Sequence, residues 1–255
     1  MLQYAVTPPR ATITIDDAER RNPLSNATIA EMALLVQRAA ADPEVTVIVI
    51  TGAGDQAFSA GGDLSGGFVD RPLEDHDSRR ALADLLRALR VCGKPTVARV
   101  NGHALAGGFG LAAACDVVVA ADDATFGLPE IKVGLWPMMV TAVLQRVMPH
   151  KAVLELMLTG RRITAEEAMR LGAVSRVVPR GELDAAVDLV VSGLAAASPV
   201  VTRLGRDAFY GVEDLPFDAA LDRLHVGLTA VSATEDAAEG IAAFQEKRHP
   251  QWKGR

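Results

Sequence analysis

Aromatic residues are scarce in this chain and make up 4% of its 255 residues. Hydrophobic residues nevertheless account for 49% of the sequence, so we expect a large aliphatic core. Cysteine is scarcer still, because only Cys92 and Cys115 are present, both in apolar contexts. Two cysteines so far apart argue against a disulfide framework, and we predict two reduced packing residues in a reducing compartment.

Long apolar runs and excess positive charge are also missing. No run reaches the roughly 20 residues that cross a bilayer, and the N-terminus lacks the charged-then-apolar pattern of a signal peptide. We therefore expect a cytoplasmic protein with no membrane partner. The net charge of −6 argues against a nucleic-acid partner, since phosphate binding needs a basic face.

The first half of the chain alternates strand-like and helix-like segments, which indicates an α/β core. Short β-branched runs predict strands that are buried on both faces, and alternating segments around Pro8-Pro9 predict a hairpin. The predicted elements are a hairpin of Leu2–Val6 and Ala11–Asp16, helices at Ser25–Ala41 and Arg79–Arg90, and strands at Val45–Thr51, Pro95–Val100 and Val117–Ala121. Between them, we expect a glycine-rich loop at Gly52–Gly67 and a mobile excursion at Phe68–Ser78.

From Val140 onward the pattern is that of helices, and Ala173–Val178 is the one strand expected there. The predicted helices are Met138–Met148, Lys151–Thr159, Ala165–Leu171, Gly181–Ala197, Pro199–Gly211, Phe217–Ala233 and Glu235–Glu246. We predict a core of residues 1–195 and a helical region of residues 196–255, whose apolar faces need a partner subunit.

The stretch from Lys94 to Gly134 carries the densest chemistry of the chain. A strand leads into a glycine-rich turn over residues 102–110, and a short helix follows. Glycines at a helix start free backbone N–H groups that can bind an oxyanion. Downstream, Glu130 lies between apolar neighbours, where a carboxylate tends towards a raised pKa and can move protons near neutral pH. An oxyanion site beside a single buried acid suggests enolate chemistry.

Motifs along almost the whole chain resemble those of the crotonase, or enoyl-CoA hydratase/isomerase, superfamily. In chain order they are Arg20–Ser25, Ala57–Leu64, Lys94–Gly102, Ala106–Gly110, Cys115–Asp116, Phe126–Ile131, Leu158–Ala168 and Phe244–Arg248. The resemblance implies an α/β fold, namely a crotonase-like spiral of ββα repeats followed by a C-terminal helical trimerisation region. It also implies a homotrimer or a hexamer made of two trimers, with an acyl-CoA thioester as substrate.

The resemblance assigns catalytic roles to three residues. Two backbone N–H groups polarise the thioester carbonyl in this family, and they match Gly62 and Gly107. Glu130 matches the second of the two glutamates with which family hydratases activate a water. The first glutamate falls on Gly110, which supplies neither acid nor base and is expected to leave a gap where a side chain would have been.

One retained glutamate resembles the enoyl-CoA isomerase branch, in which a single glutamate removes a proton from C2 of a 3-enoyl thioester and returns it at C4. We expect this one-base isomerisation through a thioester enolate, with Leu128, Pro129 and Ile131 keeping Glu130 dry. Hydration stays open as well, with Glu130 as one acid and either a substitute for the second acid or none. Decarboxylation and C–C cleavage also stay open. The acidic Asp70–Asp77 segment is one possible source of a second acid.

Substrate-binding residues also follow from the resemblance. The Arg20–Leu24 and Ala60–Asp63 loops are expected near the nucleotide of CoA, and Trp136 in the acyl site, while a neighbouring subunit would offer Phe244 and Lys247. The predicted substrate- and CoA-binding residues are Arg21, Asn22, Leu24, Ala60, Asp63, Leu64, Trp136, Phe244 and Lys247. No metal and no separate cofactor is predicted, because coenzyme A enters as the thioester of the substrate.

Two functions of other classes stay open. Glycines that follow a strand from Gly102 onward, with Asp122 about 20 residues further on, suggest a nicotinamide-binding oxidoreductase. Such a fingerprint normally lies in the first βα unit, and its place deep in this chain argues against that function. The other alternative is a non-catalytic acyl-CoA-binding protein that lost its chemistry together with the first glutamate.

Overall fold

The computed structural model describes residues 1–65 and 76–255. Most of the predicted excursion at Phe68–Ser78 and most of the acidic Asp70–Asp77 segment therefore lie outside the described residues, whereas residues 76–78 are helical. The strands are β1 Leu2–Thr7, β2 Arg10–Ile15, β3 Pro23–Leu24, β4 Val47–Gly52, β5 Ala57–Ser59, β6 Gly61–Gly62, β7 Thr96–Val100, β8 His103–Leu105, β9 Val117–Ala121, β10 Thr125–Gly127, β11 Arg162–Thr164 and β12 Arg176–Val178.

The helices agree closely with the periodicity of the sequence. They are α1 Asn26–Ala41, α2 His76–Val91, α3 Gly107–Ala113, α4 Met138–Val147, α5 His150–Thr159, α6 Ala165–Arg170, α7 Leu183–Ala195, α8 Pro199–Val212, α9 Phe217–Ser232 and α10 Glu235–Glu246, with short 3₁₀ helices at Ala18–Arg20, Pro129–Val133 and Arg180–Glu182. Ser25 caps α1, because its hydroxyl accepts a hydrogen bond from the backbone N–H of Thr28. The α2 helix begins at His76, three residues before the predicted start.

A six-stranded sheet forms the main layer of the fold, in the order β1-β2-β4-β7-β9-β12. β1 and β2 form the predicted antiparallel hairpin, and the other neighbouring strands pair in parallel. Every residue of β4 is buried, as its β-branched run predicts for a parallel strand covered on both faces. The mixed α/β architecture expected from the sequence is therefore present.

Two smaller sheets bring the glycine-rich turns together. One has the order β11-β10-β8-β5, and the other pairs β3 with β6 in parallel, with Leu24 opposite Gly62. The turn that follows β8 is fixed to the end of β10, since the backbone N–H of Ala106 donates to the carbonyl of Gly127 at 2.9 Å. The β6 turn and the start of α3 are neighbours in space, since a Cβ on Gly61 would stand 2.6 Å from the Cβ of Ala106.

The expectation of a single strand after Val140 was wrong, because β11 lies in that region as well. Three-residue strands such as β8, β10 and β11 are too short to show a period of two in the sequence. β11 forms through its antiparallel pairing with β10, in which Phe126 lies opposite Ile163. That pairing is a tertiary contact which the local sequence does not reveal.

The carboxylate of Asp116 ties the C-terminal helices to the sheet. It accepts hydrogen bonds from the backbone N–H and the hydroxyl of Thr96 at 2.7 and 2.9 Å. Arg206 of α8 donates to it twice at 3.0 Å, and the hydroxyl of Tyr210 donates at 2.6 Å. These contacts give Asp116 a structural role.

Among the described residues, no single helix is both long enough and apolar enough to cross a membrane; the segments Arg180–Ala195 and Pro199–Val212 meet that criterion only as a pair bent by 100°. Cys92 and Cys115 are both free thiols, and Cys115 is buried.

Candidate active site

A cavity of about 340 Å³ opens beside the two glycine-rich turns. Its walls are the β6 turn, the start of α3, the 3₁₀ helix Pro129–Val133 and the start of α4. The lining residues are Leu24, Asn26, Ile29, Ala60, Gly62, Leu64, Arg79, Leu82, Ala106, Gly107, Pro129, Glu130, Lys132, Val133, Leu135, Trp136, Pro137, Met138, Met139 and Val140. Glu130 is the one carboxylate among these described residues, and most of the others are apolar.

The backbone amides of Gly62 and Gly107 lie close together at this cavity. The Gly62 nitrogen is 4.0 Å from the point where a Cβ on Gly107 would stand. The backbone N–H of Asp63 donates to the carbonyl of Leu24 in β3 at 3.0 Å. Because successive N–H groups of a strand point to opposite sides, the N–H of Gly62 points away from β3. Gly107 is the first residue of α3, where N–H groups have no partner within the helix. The geometry therefore suits two donors to one oxygen atom.

Glu130 lies in the first turn of the 3₁₀ helix Pro129–Val133. Its Oε2 atom is buried and has no hydrogen-bond partner among the described residues. Burial raises the pKa of this carboxyl to about 7, and a hydrogen bond with its own backbone opposes the rise only in part. A carboxylate with that pKa exchanges a proton readily near neutral pH.

The neighbours that keep Glu130 dry are only partly those expected from the sequence. Leu128 is fully buried, but Ile131 is 39% exposed and therefore shields little. Pro129 lines the cavity as expected, and further apolar surface comes from the following segment, including Trp136 and Val140.

Gly110 does not leave the gap that the sequence suggested. It is buried in α3 and packs against Val140 of α4. A Cβ on Gly110 would overlap the Cγ1 methyl of Val140 and lie 2.5 Å from its Cβ, so the space is already filled. The expectation of a vacancy was wrong because it considered α3 alone, without the helix that packs on it.

The structure gathers most of the predicted site residues around one cavity. Besides Glu130 and the two glycines, the wall contains Leu24, Ala60, Leu64 and Trp136. Leu64 is 48% exposed and stands at the opening, whereas Leu24 is buried.

Arg21, Asn22 and Asp63 do not line this cavity. Asn22 is fully buried, and its amide donates to the carbonyls of Ala53 and Ala57 at 2.9 and 2.7 Å. These bonds hold the loop in which Arg21 and Asn22 both adopt positive φ angles of 65° and 56°. The Asn22 side chain therefore holds this loop, and the predicted place of the Arg20–Leu24 loop near the nucleotide of CoA stays a prediction.

Asp63 fixes its own loop. Its carboxylate accepts hydrogen bonds from the hydroxyl and the backbone N–H of Ser65, which lower its pKa, and from Arg20 at 2.9 Å. His103 is likewise occupied, since its Nδ1 lies 2.8 Å from the hydroxyl of Thr125. Neither residue lines the cavity.

Phe244 and Lys247 lie at the end of α10 and do not line the cavity. The Phe244 ring is 85% exposed. Their predicted contact with CoA was assigned to a neighbouring subunit, and it stays a prediction.

Several wall residues were missed by the sequence analysis, namely Asn26, Ile29, Arg79, Leu82, Lys132, Val133 and Val140. Ile29 and Leu82 show only the apolar periodicity of α1 and α2, a signal that does not distinguish a cavity wall from a core. Across the described chain, no group of three or more His, Cys, Asp or Glu side chains is arranged to hold a metal ion.

Comparison with known proteins identifies the family. The sequence matches the family model described as enoyl-CoA hydratase/isomerase over residues 10–255. The chain belongs to the enoyl-CoA hydratase/isomerase family. This match agrees with the resemblance drawn from the sequence motifs and removes the nicotinamide-binding alternative.

Relatives of this family member cover almost its whole length. A Thermus thermophilus protein named "Putative enoyl-CoA hydratase" is 38% identical over 251 residues, which are 95% of this chain and 96% of that protein. Carnitinyl-CoA dehydratase of Escherichia coli K12 is 36% identical over 244 residues, or 94% and 93% of the two chains.

The fold is confirmed by solved structures of the family. The crystal structure of an enoyl-CoA hydratase from Mycobacterium smegmatis has a TM-score of 0.94 at 30% sequence identity, and the match covers 98% of each chain. The predicted crotonase-like α/β fold is therefore correct, and the protein is an enzyme of the hydratase/isomerase type.

Proposed function

We propose that this enzyme isomerises the double bond of an enoyl-CoA through an oxyanion-stabilised thioester enolate, with Glu130 as its single base. The observation that carries the proposal is the buried Oε2 of Glu130, which has no hydrogen-bond partner among the described residues and lies in one cavity with the amides of Gly62 and Gly107. A buried base with a pKa of about 7 suits both the removal and the return of a proton.

The reaction follows from these three groups. The carbonyl oxygen of a 3-enoyl thioester accepts hydrogen bonds from the N–H groups of Gly62 and Gly107, while ionised Glu130 takes a proton from C2. The electron pair of the broken C–H bond moves onto the thioester, and the resulting dienolate carries its charge on the held oxygen. Glu130 then returns the proton to C4, which leaves the double bond between C2 and C3. Loss of one such oxyanion donor typically costs about 3–4 kcal/mol of transition-state stabilisation.

Hydration is the second candidate, and the names of the relatives favour it. In that reaction the oxygen of a water adds to C3 of a 2-enoyl thioester and a proton adds to C2. The same enolate and the same two donors serve it, but the water needs groups that hold and deprotonate it. Among the described wall residues, Glu130 is the one carboxylate that can do so.

An acyl-CoA thioester with an apolar acyl group is the substrate that we infer. Its support is the apolar wall formed by Leu24, Trp136 and Met139, together with Ala60 and Leu64 near the opening. Burial of an apolar chain on such a wall is favourable by roughly 25 cal/mol per Å² of surface removed from water.

We further infer a homotrimer or a hexamer, built through the helical region of residues 196–255. Its support is the exposure of large aromatic side chains on all three C-terminal helices, where Phe209, Phe217 and Phe244 are 68%, 76% and 85% exposed. Surfaces of this kind mark interfaces between subunits. Light scattering during size-exclusion chromatography should give three or six times the chain mass of 26.9 kDa, and a monomer would contradict the inference.

Replacement of the base tests the proposed reaction. The protein is incubated with 3-enoyl-CoA and with 2-enoyl-CoA, while double-bond migration, hydration and deuterium uptake at C2 are followed. Glu130→Gln keeps the size of the side chain but removes the base, so we expect kcat to fall by about 10²- to 10⁴-fold. Glu166→Gln, at an exposed position of α6, is the matched control and should leave kcat unchanged.

Three outcomes separate the alternatives. Full activity of Glu130→Gln would reject Glu130 as the base. A wild-type protein that hydrates 2-enoyl-CoA faster than it moves the double bond would favour the second candidate. Tight binding of both thioesters without any deuterium uptake would indicate a non-catalytic binding protein.

The pH dependence gives an independent check of the same residue. Glu130 must be ionised to accept the proton, and burial places its pKa at about 7. We therefore expect kcat/KM to rise with pH through about 7 and then to level off. A rate that is already constant from pH 5 upward would contradict the assignment.

A further inference from the structure

We infer that Val140 determines which reaction this site performs, because its side chain occupies the place from which residue 110 would offer a second acid. This inference deepens the proposed function and rests on it for the identity of the reacting groups. It concerns a residue that shows no sign of a functional role in the sequence.

The packing of α3 against α4 carries the inference. Gly110 follows Gly107 by one helical turn, so the two residues lie on the same face of α3. Val140 lines the cavity together with Glu130 and Gly107. A Cβ on residue 110 would coincide with the side chain of Val140, which means that a longer side chain there would emerge at this part of the wall.

The chemical consequence concerns water. A water is held in a protein cavity by two to four polar partners, and its addition to a double bond needs a group that removes one of its protons. At the wall beside Glu130, Val140 offers only methyl groups. A water next to Glu130 therefore receives no second acid or base from position 140, whereas the transfer of a proton from C2 to C4 needs Glu130 alone.

The distances indicate which substitutions can exchange the two side chains. Gly110→Glu alone cannot be accommodated, because its Cβ would stand 2.5 Å from the Cβ of Val140. Val140→Ala retains that Cβ and therefore does not relieve the overlap. Val140→Gly removes it, and the nearest remaining atom of residue 140 is then the Cα at 3.4 Å, an ordinary contact.

The first experiment tests the packing without reference to any reaction. Thermal unfolding is measured for Gly110→Ala, Val140→Gly and the double variant. We expect each single change to lower Tm, and the double variant to lose less than the sum of the two losses. Gly108→Ala is the matched control, because its Cβ would meet the Cβ and the backbone carbonyl of Ser59 at 2.7 Å. The decrease in Tm caused by Gly108→Ala should add to that caused by Val140→Gly when the two changes are combined. Simple additivity for the pair at positions 110 and 140 would overturn the inference.

The second experiment tests the reaction, with folding checked by circular dichroism and by the Kd for a non-reactive acyl-CoA thioester. We expect Gly110→Glu/Val140→Gly to raise the ratio of hydration to isomerisation by about 100-fold, within the range for one added acid or base. The ratio for Gly110→Glu/Val140→Ala should stay within about threefold of the wild type, and the ratio for Val140→Gly alone should rise by less than that of the double variant. A folded double variant with an unchanged ratio would overturn the inference, and so would an equal rise in Val140→Gly alone.

Failure of the proposed function gives a different result. One result is that the wild type moves no double bond, whereas Gly110→Glu/Val140→Gly gains hydration and Gly110→Glu/Val140→Ala does not. The isomerase proposal is then wrong, and the role of Val140 stands. If the wild type isomerises and the double variant gains no hydration, the role of Val140 falls and the isomerase proposal stands.

Discussion

Two carboxylates of this protein, Glu130 and Asp116, occupy regions of opposite character. Asp116 lies between β9 and the C-terminal helices and accepts five hydrogen bonds, from Thr96, Arg206 and Tyr210. Glu130 lies at the acyl cavity, and its buried Oε2 accepts none from the described residues. Both follow apolar segments in the sequence, so the local pattern does not distinguish them.

The difference teaches that burial alone does not make a base. A buried carboxylate with several donors is stabilised in its ionised form and serves the fold. One without donors has a raised pKa, which costs stability but makes the group useful for proton transfer. The number of hydrogen-bond donors around each carboxylate therefore separates a structural role from a chemical one.

The largest effect on stability is expected at Asp116. Asp116→Ala leaves the guanidinium of Arg206, whose side chain is 10% exposed, without its partner. Removal of one member of a buried ion pair typically costs about 3–5 kcal/mol of unfolding free energy, which urea denaturation can measure. Asp214→Ala is the control: Asp214 pairs with Arg146 but is 70% exposed, so its loss should cost less than about 1 kcal/mol. Equal losses of unfolding free energy in Asp116→Ala and Asp214→Ala would contradict the structural role of Asp116.

A smaller effect is expected from a single donor to Asp116. Tyr210→Phe deletes the hydroxyl that donates to Asp116 at 2.6 Å but keeps the ring between the guanidinium groups of Arg90 and Arg206. We expect a loss of about 1.5 kcal/mol in unfolding free energy, since hydrogen bonds to charged groups are worth about 1.5–3 kcal/mol.

Tyr4→Phe provides the matched control for that measurement. The hydroxyl of Tyr4 is buried and has no partner among the described residues, so its removal should be neutral or slightly stabilising. A loss at Tyr4 as large as that at Tyr210 would show that ring packing, and not the hydrogen bond, is being measured.

The smallest effect is a change of stability with pH at Glu130. Its pKa is about 7 in the folded protein against 4.5 for an ordinary glutamate, so the folded state binds the proton more tightly. Wild-type stability therefore falls as pH rises from about 4.5 to about 7, while Glu130→Gln has no such charge to bury. Between pH 5 and pH 8, the unfolding free energy of Glu130→Gln should increase relative to that of the wild type by on the order of 1 kcal/mol, after allowance for solvent screening. A difference between the variant and the wild type that does not change with pH would contradict the raised pKa of Glu130.

Much of the fold was predictable from local patterns. The buried strand β4, the helix α1 with its Ser25 cap and the helices after Val140 all follow from residue periodicity and end signals. The short strands β8, β10 and β11 were not predictable, because three residues show no period and their pairing depends on distant segments.

The candidate site divides in the same way. Gly62, Gly107 and Glu130 carry recognisable motifs, and the structure places them around one cavity. Asn22 belongs to a motif too, yet its side chain is consumed by the carbonyls of Ala53 and Ala57. A motif shows which residues occur together, but only the hydrogen bonds show which of them are left for a ligand.

The sequence by itself determined the α/β core, the helical C-terminal region, the two glycine-rich turns and the position of the lone acid, because these depend on neighbours along the chain. Only the tertiary structure decided what Gly110 means. Its missing side chain suggests a gap, but the space is filled by Val140 from a helix that is separate in the chain. Close packing between distant helices depends on both partners at once, so neither local sequence reveals it.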